Sequence, residues 1–175
     1  MIAVPEAPID NLAMAIRVGA SLLAGAAIGI NRDLHHKSAG LRTHALVAVG
    51  SASAVILALV ASPNSGDGAT RVMQGLITGI GFLGAGVILH RESKRRIEGL
   101  TTAASIWVSA VFGMACGGGL FALAAMAVGA ALFVLAFGGP IEKALERRFL
   151  KKANVDPSLP AADDAELVTP PTAQP

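Results

Sequence analysis

Residues 79–84 read Gly79-Ile80-Gly81-Phe82-Leu83-Gly84, the G-x-G-x-x-G spacing that elsewhere cradles a dinucleotide pyrophosphate. That chemistry needs a strand before the glycines and a helix after them, so that backbone N–H groups converge on phosphate. Here the motif lies inside an apolar run with no strand before it, and cofactor binding is set aside. Gly75, Gly79, Gly81, Gly84 and Gly86 instead crowd one stretch of twelve residues. Gly75-x-x-x-Gly79 lets helix backbones touch. The remaining glycines fall on other faces, so this segment is either packed on several sides or locally unwound. An unwound segment lining a cavity would suit a transport site.

Hydroxyl and amide groups form a second pattern. Thr101, Ser105 and Ser109 repeat at i, i+4 and i+8, and Gln74 and Thr78 stand one turn apart. In an apolar surrounding such groups seek partners across helices, or they line a narrow polar path. Arg17 sits about 9 Å along its apolar run. It either snorkels to the outer headgroups or meets an outer-loop acid such as Asp67. His35, His36, His44 and His90 are expected together on one side as solvated loop residues. Their spacing gives no metal site, and no nucleophile–base constellation stands out. There is no G-x-x-x-x-G-K-[ST], hence no P-loop for ATP hydrolysis. Neither a catalytic residue nor a bound cofactor is expected.

The elements that hold these residues follow from composition. The chain has 175 residues, 53% hydrophobic and only 15% charged, against about 25% charged in globular proteins. Apolar runs recur with almost no ionisable group inside. About 20 helical residues cross a bilayer core, and an open strand cannot. Five spans are predicted: Leu12–Ile30, Thr43–Ala61, Val72–Leu89, Leu100–Cys116 and Leu120–Phe137. The fold class is all-α, a polytopic bundle of five transmembrane helices. Six Phe, one Trp and no Tyr argue against a stacking nucleic-acid binder. The single cysteine, Cys116, reads as a small packing residue.

Twelve of the fourteen lysines and arginines fall in 31–42, 90–99 and 143–152, all on one side of such a bundle. The positive-inside rule places that side in the cytoplasm, with the N-terminus outside and the C-terminus inside. Residues 1–11 are expected to be a short periplasmic tail without a signal-peptide pattern, and 12–138 the membrane domain. Residues 139–152 read as a basic interfacial helix or as a simple extension of the fifth span. Residues 153–175, rich in proline and acids, are expected to be disordered. None of the five predicted spans contains Asp or Glu. Magnesium is usually held through carboxylates and retained waters, so this weakens a direct Mg²⁺ transport role.

Three segments in order carry a resemblance: Ala39-Gly40-Leu41-Arg42-Thr43-His44-Ala45-Leu46-Val47, then Gly79 to Ile88, then Gly99-Leu100-Thr101-Thr102-Ala103-Ala104-Ser105-Ile106-Trp107. Together they resemble the MgtC/SapB family of bacterial inner-membrane proteins over residues 12–138. The resemblance implies a five-span membrane domain of the short form, without the soluble domain that larger members carry. The family's Glu-Arg after the first span stands here as Asn31-Arg32, with Asp33 following. Glu98 stands where a basic residue is common, which suggests a sign exchange with Arg32 or Arg42. Arg71 and Gln74 match the outer end of the third span. The implied function is non-enzymatic and accessory or regulatory. It is linked to magnesium limitation and to virulence, and includes restraint of the membrane ATP synthase. The alternative is a transporter or channel for Mg²⁺ or another small solute. Five spans are few for a closed pathway, which favours a homodimer through small-residue faces.

Overall fold

A computed structural model describes residues 9–63, 66–89 and 99–153. Five helices follow in order: α1 Asn11–Leu34, α2 Leu41–Ala61, α3 Gly66–Leu89, α4 Leu100–Gly117 and α5 Phe121–Ala153. All are long and apolar enough to cross a membrane. The chain divides into two compact units, residues 1–137 and 138–175.

The helices begin and end for local reasons. Asp10 caps α1, its carboxylate accepting the Ala13 N–H at 2.7 Å. The N-cap of α2 is Gly40, which has no side chain to offer. Asp33 supplies the cap from the end of α1 instead, accepting the Leu41 N–H at 2.9 Å. A Cβ on Gly40 would overlap that carboxylate. The α4–α5 connection is the glycine turn 117–119, with Gly119 at φ 79°. There the Gly118 N–H bonds the Met114 carbonyl and the Leu120 N–H bonds the Ala115 carbonyl, closing α4.

Two boundaries differ from the sequence expectation. Helix α1 continues four residues past Ile30, so Asn31-Arg32-Asp33 are helical and not loop. The reason is register: Ser21, Gly25, Ile28 and Arg32 lie on one buried stripe, and Arg32 completes it. Helix α3 starts at Gly66, six residues before Val72, with Asp67 in its first turn, where an acid is favoured by the helix dipole. At the far end, residues 139–152 are helical and include Pro140.

Helices α1, α2 and α4 form the tight centre, α2 lying against both others, and α3 packs on α2 and α4. Glycines set the approach. A Cβ on Gly25 would lie 2.9 Å from Ala45 Cα, and one on Gly29 would overlap Leu41. On the other side, Cβ atoms on Gly113 and Gly117 would lie 2.9 Å from Ala48 Cα and Ala52 Cα. These two Gly-x-x-x-Gly pairs clasp the alanines of α2 from both sides. One apolar cluster joins Val55, Ala58, Leu59, Ala69 and Met114, and a second joins Ala115, Cys116 and Ala124. Leu23, Leu46, Leu57, Phe82, Met126 and Val134 are exposed and form the lipid-facing surface.

Candidate functional site

A set of polar residues from three of the spans gathers where α1, α2 and α4 meet. Arg32, His44, Thr102, Ser105 and Ser109 are all buried there. The Arg32 guanidinium donates from Nη2 to the Thr102 hydroxyl at 2.7 Å. The Ser105 hydroxyl lies 2.8 Å from the Thr102 carbonyl and 3.0 Å from His44 Nε2. His44 Nδ1 lies 2.8 Å from the Gly40 carbonyl, and the Ser109 hydroxyl donates to the Ser105 carbonyl at 3.0 Å.

Hydrogen counting gives the electrostatics. A carbonyl only accepts, so His44 carries its proton on Nδ1 and donates to Gly40. Neutral His44 then accepts at Nε2, and the single Ser105 hydrogen must choose between His44 and the Thr102 carbonyl. One polar group is left over. Arg32 Nε is buried without a hydrogen-bond partner among the described residues. Arg32 itself is only 4% exposed, so an unpaired N–H on a buried cation is retained at a cost.

This cluster corrects several expectations. His44 is no solvated loop residue; it lies in α2, fully enclosed, while His35 and His36 are exposed on the α1–α2 connection. The hydroxyl row that faces inward is Thr102, Ser105 and Ser109, at i, i+3 and i+7; Thr101 is exposed. The structure also brings together a serine and a histidine 61 residues apart, which the sequence did not reveal. Their third neighbour is a backbone carbonyl and not a carboxylate, and His44 has no exposed surface. Among the described residues no group of three His, Cys, Asp or Glu is placed to hold a metal.

Arg17 forms no ion pair with Asp67 among the described residues. It donates from Nη1 to the Gly117 carbonyl at 2.8 Å, satisfying an orphan carbonyl at the end of α4. Asp33 and Arg42 are exposed, the first serving as the α2 cap. The expected pairing of Glu98, and His90, lie outside the described residues.

The third helix departs most from expectation. It is neither unwound nor packed on several sides. Added Cβ atoms on Gly75, Gly79, Gly81 and Gly86 would meet nothing within 4 Å. Gly84 alone of the five packs, facing Ala103 on α4 at 3.6 Å. Arg71, Gln74 and Thr78 are exposed, the Thr78 hydroxyl donating to the Gln74 carbonyl at 2.9 Å.

Two open clefts flank this interior. One of about 450 Å³ lies between α2, α3 and α4, floored by Ser51, Ala54, Gly75, Gly79 and Ala110. The other, about 370 Å³, separates the membrane part of α5 from α1 and α4. Ile28, Ala104, Val108 and Phe112 form one wall, Ala127, Ala130, Ala131 and Val134 the other, and Ser105 is the polar residue between them.

Fold and site define a helical membrane protein whose polar groups are turned onto one another in the centre and whose glycines serve both core and periphery. The MgtC family profile matches residues 18–144, and the chain belongs to the MgtC family. It is 41% identical over 140 residues to Protein MgtC of Brucella abortus (strain 2308), covering 80% of this chain and 57% of that protein. It is 43% identical over 124 residues to Protein SrpB of Synechococcus elongatus, covering 65% and 68%. It is 46% identical over 102 residues to Protein MgtC of Salmonella typhimurium (strain LT2), covering 58% and 42%. The chain thus spans about half the length of the MgtC relatives. No solved structure matches it.

Proposed function

We propose that this chain is a non-enzymatic accessory protein of the bacterial inner membrane that acts by docking on another membrane complex under magnesium limitation. The observation that carries this reading is the disposition of polar and apolar surface. Apart from Arg32 Nε, the buried hydroxyls, imidazole and guanidinium bond one another or nearby backbone carbonyls, whereas the α5 cleft, with Ser105 as its one polar lining residue, opens sideways as an alanine-walled slot. A cleft of that volume accepts two or three large apolar side chains of a neighbouring helix. The family resemblance drawn from the sequence motifs implies both the ATP synthase as the complex and magnesium limitation as the condition. In this reading the cations of 31–42, 90–99 and 143–152 face the cytoplasm, which puts the N-terminus outside and the C-terminus inside.

The test uses inverted membrane vesicles containing ATP synthase, with ATP-driven proton pumping as readout. The reading expects pumping to fall as the purified chain is co-reconstituted. Ala131→Phe, which fills the cleft, should restore it without unfolding the chain. Pumping unchanged at every ratio, or inhibition untouched by Ala131→Phe, contradicts it. Transport of Mg²⁺ or another small solute is the competing function, and a flux assay separates the two.

A further inference from the structure

One stripe on the exposed side of α3 is polar or small, unlike the apolar side chains Ile77, Phe82 and Leu83 exposed on the same helix. Taking 100° per residue, Asp67, Arg71, Gln74, Thr78, Gly81 and Ala85 fall on one side of the helix, at alternating spacings of four and three. All six are exposed. That spacing is the seam of a left-handed helix pair, in which successive positions face a partner helix. The apolar α3 side chains Val72, Met73, Leu76 and Ile80 are turned toward the bundle. Ile77 and Phe82 flank the stripe and are exposed, so the stripe is a narrow polar and small-residue seam between apolar borders.

We propose that this seam is where a second copy of the chain docks, α3 against α3, related by a twofold axis along the membrane normal. Two copies inserted in the same orientation place each residue at the same depth as its mate. The seam is self-complementary under that symmetry. Asp67 and Arg71 lie one turn apart near the start of the helix, so Asp67 of each copy reaches Arg71 of the other. Neither side chain forms an ion pair or hydrogen bond among the described residues. Gln74 lies roughly 10 Å further in than Asp67. Its carboxamide is without a partner among the described residues, its backbone carbonyl alone being used, by Thr78. A carboxamide is both donor and acceptor, so Gln74 of one copy satisfies Gln74 of the other in both directions. In hydrocarbon the alternative is an unsatisfied amide. Below it, Gly81 and Ala85 allow close backbone approach, and a Cβ on Gly81 meets nothing within its own chain. This interface lies on α3, apart from the α5 cleft of the proposed function, and stands or falls independently of it.

The experiment is disulfide scanning in native membranes, in a Cys116→Ala background. Single cysteines replace Gln74, Thr78, Gly81 and Ala85 on the seam, and Leu83, Leu123 and Met126 off it. The proposal expects self-crosslinking at the four seam positions and background levels at the other three. Gln74→Leu, matched in size, should weaken dimerisation about tenfold, measured by subunit photobleaching in liposomes at graded dilution. Charge reversal at Asp67 or Arg71 alone should weaken it, and the double reversal should restore it. Uniform or absent self-crosslinking, a monomer at every dilution, crosslinks only to a different protein, or a Gln74→Leu dimer as tight as the parent would each overturn the proposal.

Discussion

Replacing Gly113 with alanine tests the helix packing most sharply, because the same substitution at Gly79 supplies its control. Both glycines lie inside membrane helices, and each gains the same intrinsic helix preference, about 1 kcal/mol. They differ only in what the new methyl meets. At Gly113 it overlaps the Ala48 carbonyl and stands 2.9 Å from Ala48 Cα, where carbon pairs rest at about 3.5–4.0 Å. Helices α2 and α4 must part by roughly 1 Å, and a gap of that size forfeits a quarter to a half of each contact's attraction. Overpacking of this kind costs about 1–3 kcal/mol. At Gly79 the methyl meets nothing within 4 Å. The two variants should therefore differ by about 1–3 kcal/mol, Gly79→Ala being neutral or stabilised. Equilibrium unfolding in mixed micelles, followed by Trp107 fluorescence, reads the difference. Equal midpoints for the two variants would refute the assignment of close contact to Gly113.

Three further outcomes are expected in the same assay. Arg32→Met removes a buried cation with an unpaired Nε and should be neutral or stabilising, whereas Thr102→Val strands the guanidinium and should cost about 2–3 kcal/mol; the reverse order would contradict the burial of Arg32. Asp33→Ala should cost about 1 kcal/mol through loss of the α2 cap, and Gly40→Ala should be harmful only while the Asp33 carboxylate is present; strictly additive effects would contradict the shared contact. Arg17→Gln should lower stability by about 1 kcal/mol through the Gly117 carbonyl, with no dependence on Asp67, and a coupling to Asp67 substitutions would contradict it.

The spans were legible because lipid imposes length and composition on them directly. All five expected segments are helices, and Cys116 is buried as expected. Packing was harder to read. Gly25-x-x-x-Gly29 and Gly113-x-x-x-Gly117 carry the same spacing as Gly75-x-x-x-Gly79, yet only the first two clasp a neighbour. Spacing says that close approach is allowed on one face; which face meets a helix depends on the rotation of that helix in the bundle. The same rotation decides that Thr102 turns inward and Thr101 does not. By sequence, His44, a histidine at the start of a span, is indistinguishable from the loop histidines beside it. Its burial depends on Ser105, far along the chain, and on the Gly40 carbonyl. A charge ordinarily ends a span, which sets Arg32 outside the first one by sequence; the stripe of Ser21, Gly25 and Ile28 carries it into the interior.

The central claim is that the buried polar groups hold α1, α2 and α4 together and form no ion path, and that the chain acts by docking. Ion flux through the purified protein in proteoliposomes addresses it most directly, with Mg²⁺ and monovalent cations tested over a range of membrane potentials. The account predicts flux no greater than in protein-free liposomes. Saturable, protein-dependent flux that is lost in Ser105→Leu or His44→Leu variants that still fold would contradict it.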